Sequence, residues 1–107
     1  MSVTLIVSDR IARQLQRLQW AKGDKTEDKL AKLIEAEYRR RLAHYSLTDR
    51  QLTQKYDMSF EQFERQQITL DKGFTWEVES DAIAWETAVD GIRTVQRQLS
   101  ELLNGDD

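Results

Sequence analysis

The feature that most constrains this chain is a short β-branched run near its beginning that has nothing to pair with. Residues 3–7 read Val-Thr-Leu-Ile-Val, a composition that favours a strand of about five residues. Alternation puts Val3, Leu5 and Val7 on one face and Ser2, Thr4 and Ile6 on the other. A lone strand leaves its backbone donors and acceptors unpaired. The next 65 residues offer no hairpin partner, so the economical solution is a second copy of the chain, strand against strand.

The rest of the chain reads as helices joined by short turns, with no repeat and no Gly/Ser linker. Ser8 or Asp9 caps a first helix in which Ile11, Leu15 and Leu18 recur at helical spacing, until Lys22-Gly23-Asp24 stops it. Thr26 opens a second helix with Glu27 and Asp28 in its first turn and Leu30, Leu33, Ile34, Tyr38, Leu42 and Tyr45 along one side. Ser46-Leu47-Thr48-Asp49 reads as a break and a new cap, followed by a third, weak helix over 49–56.

Ser59 with Gln62 is a capping box, with Met58 and Phe63 as its hydrophobic staple, and predicts a fourth helix over 60–70. Phe74, Trp76 and Val78 alternate with Thr75, Glu77 and Glu79, which predicts a strand or extended arm. Ser80 or Asp81 then caps a final helix with a stripe of Trp85, Ala88, Val89, Ile92, Val95, Leu99 and Leu102, and Gly91 as its weak point.

Charge divides the chain. Residues 1–45 hold ten Lys/Arg against six Asp/Glu, while 46–107 hold six against thirteen. A basic half suits a polyanion; an acidic half repels nucleic acid and favours a basic protein. The division predicts two different surfaces, 1–45 and 46–107.

The chain has no cysteine, one histidine and no glycine-rich phosphate loop or zinc-type motif. No disulfide framework, thiolate nucleophile, metal or cofactor is expected, and no enzymatic activity. The single histidine, His44, reads as an exposed residue near a helix end. Carboxylate pairs such as Glu77 with Glu79 are too common in so acidic a segment to signal acid–base chemistry. No apolar stretch is long enough for a signal core or a bilayer span, so a cytoplasmic protein is expected.

The first 45 residues resemble the ribbon-helix-helix superfamily of dimeric repressors and antitoxins. The resemblance rests on the alternation of Val3, Leu5 and Val7, the cap at Ser8-Asp9, the pair Leu15 and Leu18, and Gly23 just before Thr26. It implies a mainly α fold with one N-terminal β-strand: a ribbon-helix-helix module followed by a helical C-terminal region with a short extended arm. It implies dimerisation through Val3, Leu5, Val7, Leu30, Ile34 and Tyr38. Operator DNA would be read by Ser2, Thr4 and Ile6, with Lys25 and Thr26 holding a phosphate at the start of the second helix. Ile6 suits a thymine methyl, and equally a dimer that does not bind nucleic acid.

The segments Lys55-Tyr56-Asp57-Met58-Ser59-Phe60-Glu61-Gln62-Phe63, Gly73 to Asp81 and Trp85-Glu86 are similar to a group of small prokaryotic antitoxin-like proteins. That likeness implies docking on a toxin, often an RNA-directed one, through Phe74, Trp76, Glu77, Val78, Glu79, Trp85 and Glu86. The expected function is an antitoxin that neutralises its toxin and represses its own operon. A stand-alone DNA-binding regulator and a homodimeric adaptor that ignores DNA are the alternatives.

Overall fold

A computed structural model describes residues 2–66, 68, 73 and 75–105. Four helices follow one another: α1 (Asp9–Arg17), α2 (Thr26–Tyr56), α3 (Phe60–Arg65) and α4 (Trp76–Leu103). The long pair α2 and α4 forms an antiparallel hairpin. Tyr56 meets Asp81, Asp49 meets Trp85, and Tyr45 meets Gly91, so the register runs in opposite directions along the two helices. The same register brings Val95 and Leu99 opposite the stretch of α2 around Tyr38 and Leu42.

The core follows from the spacing on α4. Val78, Trp85, Ala88, Val95 and Leu99 recur at three, four and seven residues, lie on one stripe, and are all buried. Trp85 is 0% exposed. Around it pack Leu52 of α2 and Phe63 of α3, with Tyr56, Met58 and Phe60 partly buried alongside. The rings of Phe63, Phe60 and Tyr56 lie 5.1, 5.5 and 5.9 Å from the Trp85 ring. Such aromatic pairs add to the stabilisation from burial itself.

Local chemistry places the turns. Ser8 caps α1 by accepting the Ile11 amide at 3.3 Å. Asp24 accepts the amides of Trp20 and Ala21 at 2.8 and 2.9 Å, which shapes the α1–α2 turn and holds the carboxyl below its usual pKa. Asp57, left-handed at φ 53°, closes α2. Ser59 and Gln62 then form the expected capping box of α3, beside a partly buried Met58.

Several expectations are corrected. Residues 3–7 form no strand, and no strand exists among the described residues, so a ribbon-helix-helix fold is not what this chain adopts. A strand needs a backbone ladder, and the described residues supply no partner for it. Val3, Leu5 and Val7, expected at a dimer seam, stand exposed.

The break at 46–49 is also absent. α2 runs unbroken through it, so the expected third helix is its last part, and no helix end marks the 45/46 boundary. Thr48 donates its hydroxyl to the His44 carbonyl at 3.4 Å, the backbonding that lets a threonine sit inside a helix.

The extended arm is likewise replaced by helix. Thr75 accepts the Val78 amide and starts α4 at Trp76, five residues before the expected cap, with Glu77 and Glu79 favoured by the helix dipole. α1 ends at Arg17, short of Lys22. α3 ends at Arg65, and Thr69 and Leu70 of the longer helix expected there lie outside the described residues.

The buried apolar side chains come from the later part of the chain. No apolar residue before Leu52 is buried among the described residues, and α1 buries nothing. The molecule measures 58 × 27 × 23 Å with a radius of gyration of 19.7 Å, whereas compact packing of its 107 residues gives about 13 Å.

Gly91 lies where α2 and α4 approach closely, and is not a weak point. A Cβ built there would lie 2.5 Å from the Tyr45 ring. Gly91→Ala is expected to lower the thermal midpoint: overpacking costs about 1–3 kcal/mol, more than the ~1 kcal/mol of helix propensity it adds. Circular dichroism melts check this, and the double variant with Tyr45→Ala should recover part of the loss.

Candidate functional site

The candidate site is the end of the hairpin where α2 meets the first turns of α4. Lys55 donates to Glu77 and Asp81, each at 2.6 Å, and Tyr56 donates its hydroxyl to the same Asp81 oxygen at 2.6 Å. One turn further along α4 and about two turns back along α2, the Trp85 indole N–H donates to Asp49 at 2.7 Å. Glu77 and Asp81 are one turn apart on α4, and Lys55 and Tyr56 close α2, so both pairs face each other only because the helices are antiparallel.

The electrostatics fit a clamp. Burial first, and then the bond to Asp81, push the Tyr56 phenol up to about 12. The two carboxylates raise the Lys55 ammonium against its desolvation. Burial works to raise Asp81, but Lys55 and Tyr56 outweigh it and the carboxyl ends lower than usual. A firmly protonated lysine and phenol supply neither a nucleophile nor a base near neutrality. A shallow hollow of about 330 Å³ beside the clamp is lined by Lys55, Tyr56, Thr75, Glu77 and Val78.

The structure divides the expected partner-binding residues. Val78 and Trp85 are core, and Glu77 is exposed but engaged by Lys55. Trp76 is 82% exposed, Glu79 is half-buried and Glu86 is exposed. Phe74 lies outside the described residues. Ile83, 68% exposed, joins Trp76, Glu79, Ser80 and Ala82 around an apolar hollow of about 440 Å³ on the outer face of α4.

At the other end, Ser2, Thr4 and Ile6 are exposed, Ile6 at 95%. Ser2 and Thr26 share an open hollow of about 560 Å³ with Val3, Leu5, Glu27 and Leu30. The expected phosphate seat has an internal occupant: Asp28 accepts the Lys25 amide at 3.1 Å. The arginine cluster at 39–41 of α2 is engaged as well. Arg39 bonds Glu35 at 2.9 Å, and Arg40 and Arg41 both bond Glu37 at 2.8 Å, holding its carboxyl down at about 2. Of the remaining dimerisation candidates, Ile34 is exposed while Leu30 and Tyr38 are half-buried.

Sequence reasoning missed Lys29, Asp49, Lys55, Tyr56, Asp81 and Ile83. Lys29 is buried, and its ammonium caps α1 by donating to the carbonyls of Leu15 at 3.0 Å and Gln16 at 3.5 Å. The i,i+4 spacing of Glu77 and Asp81 is the one signal available in advance, and it speaks only once α4 is started at Trp76. Among the described residues no group of His, Asp or Glu side chains is placed to hold a metal, and no helix is long and apolar enough to cross a membrane.

The clamp has a defined pH signature. Asp81 is depressed on folding, so its contribution is complete above the unfolded carboxyl value near 3.9 and drains as pH falls through the folded value. Tyr56 is raised, so its contribution is complete below a pH of about 10 and is lost as pH rises through about 12. Urea midpoints should therefore be level from about pH 5 to about pH 9 as far as the clamp is concerned. Asp81→Asn should cost about 1–2 kcal/mol at neutral pH and reduce the loss of stability on the acid side.

The chain matches no protein-family model, no curated protein and no solved structure.

Proposed function

We propose that this chain is a non-catalytic binding protein: it associates with a second copy through its N-terminal end and captures a basic partner protein through its acidic C-terminal end. This is the arrangement of an antitoxin that neutralises its toxin. The observation that carries the reading is the apolar surface that the first third of the chain leaves uncovered. Among the described residues no apolar side chain before Leu52 is buried, and Val3, Leu5, Ile6, Val7, Ile11, Leu18, Trp20, Leu33 and Ile34 are all exposed. An exposed apolar surface of this extent marks an interaction site.

The partner's chemistry follows from α4. Residues 76–92 contain five acids, Glu77, Glu79, Asp81, Glu86 and Asp90, and no base before Arg93. Lys55 engages two of them. No ion pair among the described residues engages Glu79, Glu86 or Asp90. A face of this kind competes with phosphates for a basic cleft such as an RNA-directed toxin presents.

A second reading adds operator DNA. Arg10, Arg13 and Arg17 recur on exposed positions of α1 and, unlike Arg39, Arg40 and Arg41 of α2, enter no ion pair among the described residues. DNA held by these arginines would be lost steeply with salt.

Two measurements test the proposal. Sedimentation at micromolar concentration should show a dimer, and the pair Leu5→Glu with Ile34→Glu should yield a monomer of unchanged helical content, each buried aliphatic contributing about 1.5–3 kcal/mol. A folded wild-type monomer overturns the self-association. Tagged protein recovered from its host with nuclease present should retain one small basic protein in fixed ratio. Recovery of DNA alone moves the second reading to first place.

A further inference from the structure

We infer that the outer face of α4 is a docking groove for a basic amphipathic segment of a partner protein, with one apolar side chain of that segment seated between Trp76 and Ile83. The inference rests on the reading of the C-terminal half as the partner-binding end, and names where on that half the contact is made.

The argument starts from helical geometry. Two residues along a helix turn through about 200°, so the buried Val78 sends Trp76 outward, and the buried Trp85 does the same to Ile83. Trp76 and Ile83 are seven residues apart and share one stripe with Glu79 and Ser80 between them. The result is the apolar hollow of about 440 Å³ already described, with Trp76 at 82% and Ile83 at 68% exposure on its rim. No helix of the described chain packs on this face, since α2 and α3 meet α4 through Leu52 and Phe63 on the Val78–Trp85 side.

Charge selects the occupant. Glu79 lies one turn before Ile83, Glu86 one turn after it and Asp90 a turn beyond, and none is ion-paired among the described residues. The groove therefore reads acid, apolar, acid along the helix. Its complement is an apolar side chain flanked by Lys or Arg one turn to either side, with the aromatic ring also available to a guanidinium. Trp is the residue type most often found to anchor an interface, and the acids around it set the partner's sign.

The test uses the full chain and a synthetic probe, a short helical peptide with Leu on one face and Lys on the other. Titration followed by tryptophan emission and by calorimetry should show binding with a blue shift. Ile83→Glu and Trp76→Ala should each weaken it at least about tenfold, while leaving the urea midpoint unchanged because both side chains are exposed. Peptides with Glu in place of Lys, or Ser in place of Leu, should not bind.

Binding that survives Ile83→Glu and Trp76→Ala but falls in Glu79→Gln with Glu86→Gln overturns the groove and leaves the acidic partner-binding end standing. Failure of the wild type to bind the peptide also overturns the groove, whereas the wider reading falls only if no basic protein is retained from the host. A sedimentation coefficient that drops with Ile83→Glu assigns this face to a second copy of the chain and overturns the inference.

Discussion

The structure depends on one buried ring. Trp85 has no exposed surface, stacks near Tyr56, lies tilted against Phe60 and Phe63, and still satisfies its indole N–H on Asp49. A tryptophan this deep is tolerated only when that donor finds an acceptor. The Asp49 bond therefore fixes the level at which α4 crosses α2, as well as contributing stability. With that level set, Asp81 falls beside Lys55 and Tyr56, and Gly91 falls under the Tyr45 ring. The three contacts are rungs of one ladder, and displacement of α4 by a turn would break all of them together.

The same ladder explains why the other end is open. α4 stops at Leu103, which is itself exposed, and by the antiparallel register it has then reached only the neighbourhood of Leu33 and Ile34. The first turns of α2 thus have only α1 and the segment before it alongside, and no residue of α1 is buried. What ties α1 down is polar: the Lys29 ammonium on its last carbonyls and the Asp24 carboxylate within the turn that follows. Hydrogen bonds of this kind orient a helix but contribute only about 0.5–3 kcal/mol each. An end held by polar ties, with its aliphatic residues outward, gains its apolar burial only on association.

The local half of this structure was legible in the residues. Ser8 and the Ser59–Gln62 box needed only neighbours within three positions, and the buried stripe of α4 needed only a period. Longer-range features were not. Ser46 and Thr48 look like a cap in isolation; the helix continues because Leu52 and Trp85 bury together beyond them. Lys29, Lys55 and Asp49 are ordinary surface residues in the sequence, and become specific only when partners 14, 26 and 36 positions away are brought to them. Residues 3–7 have the composition of a strand, but pairing is not local, and among the described residues it is not made.

The misread arm shows how a local error changes a functional conclusion. As a strand, Trp76 and Val78 share a face and bury or dock together. As the first turn of α4 they point in opposite directions, and the choice falls to helix because Thr75 caps Val78 and Trp85 requires Val78 seven residues before it on the core side. Val78 then belongs to stability and Trp76 to the surface, together with Ile83, which alternation never singled out. The charge division takes on a second meaning as well. Basic residues of α2 neutralise acids on their own helix, at Glu35 and Glu37, while Glu79, Glu86 and Asp90 of α4 meet no cation among the described residues. The acids left unpaired among the described residues are therefore set around an exposed aromatic on a helix clamped at its base, which is the surface on which the proposed partner contact rests.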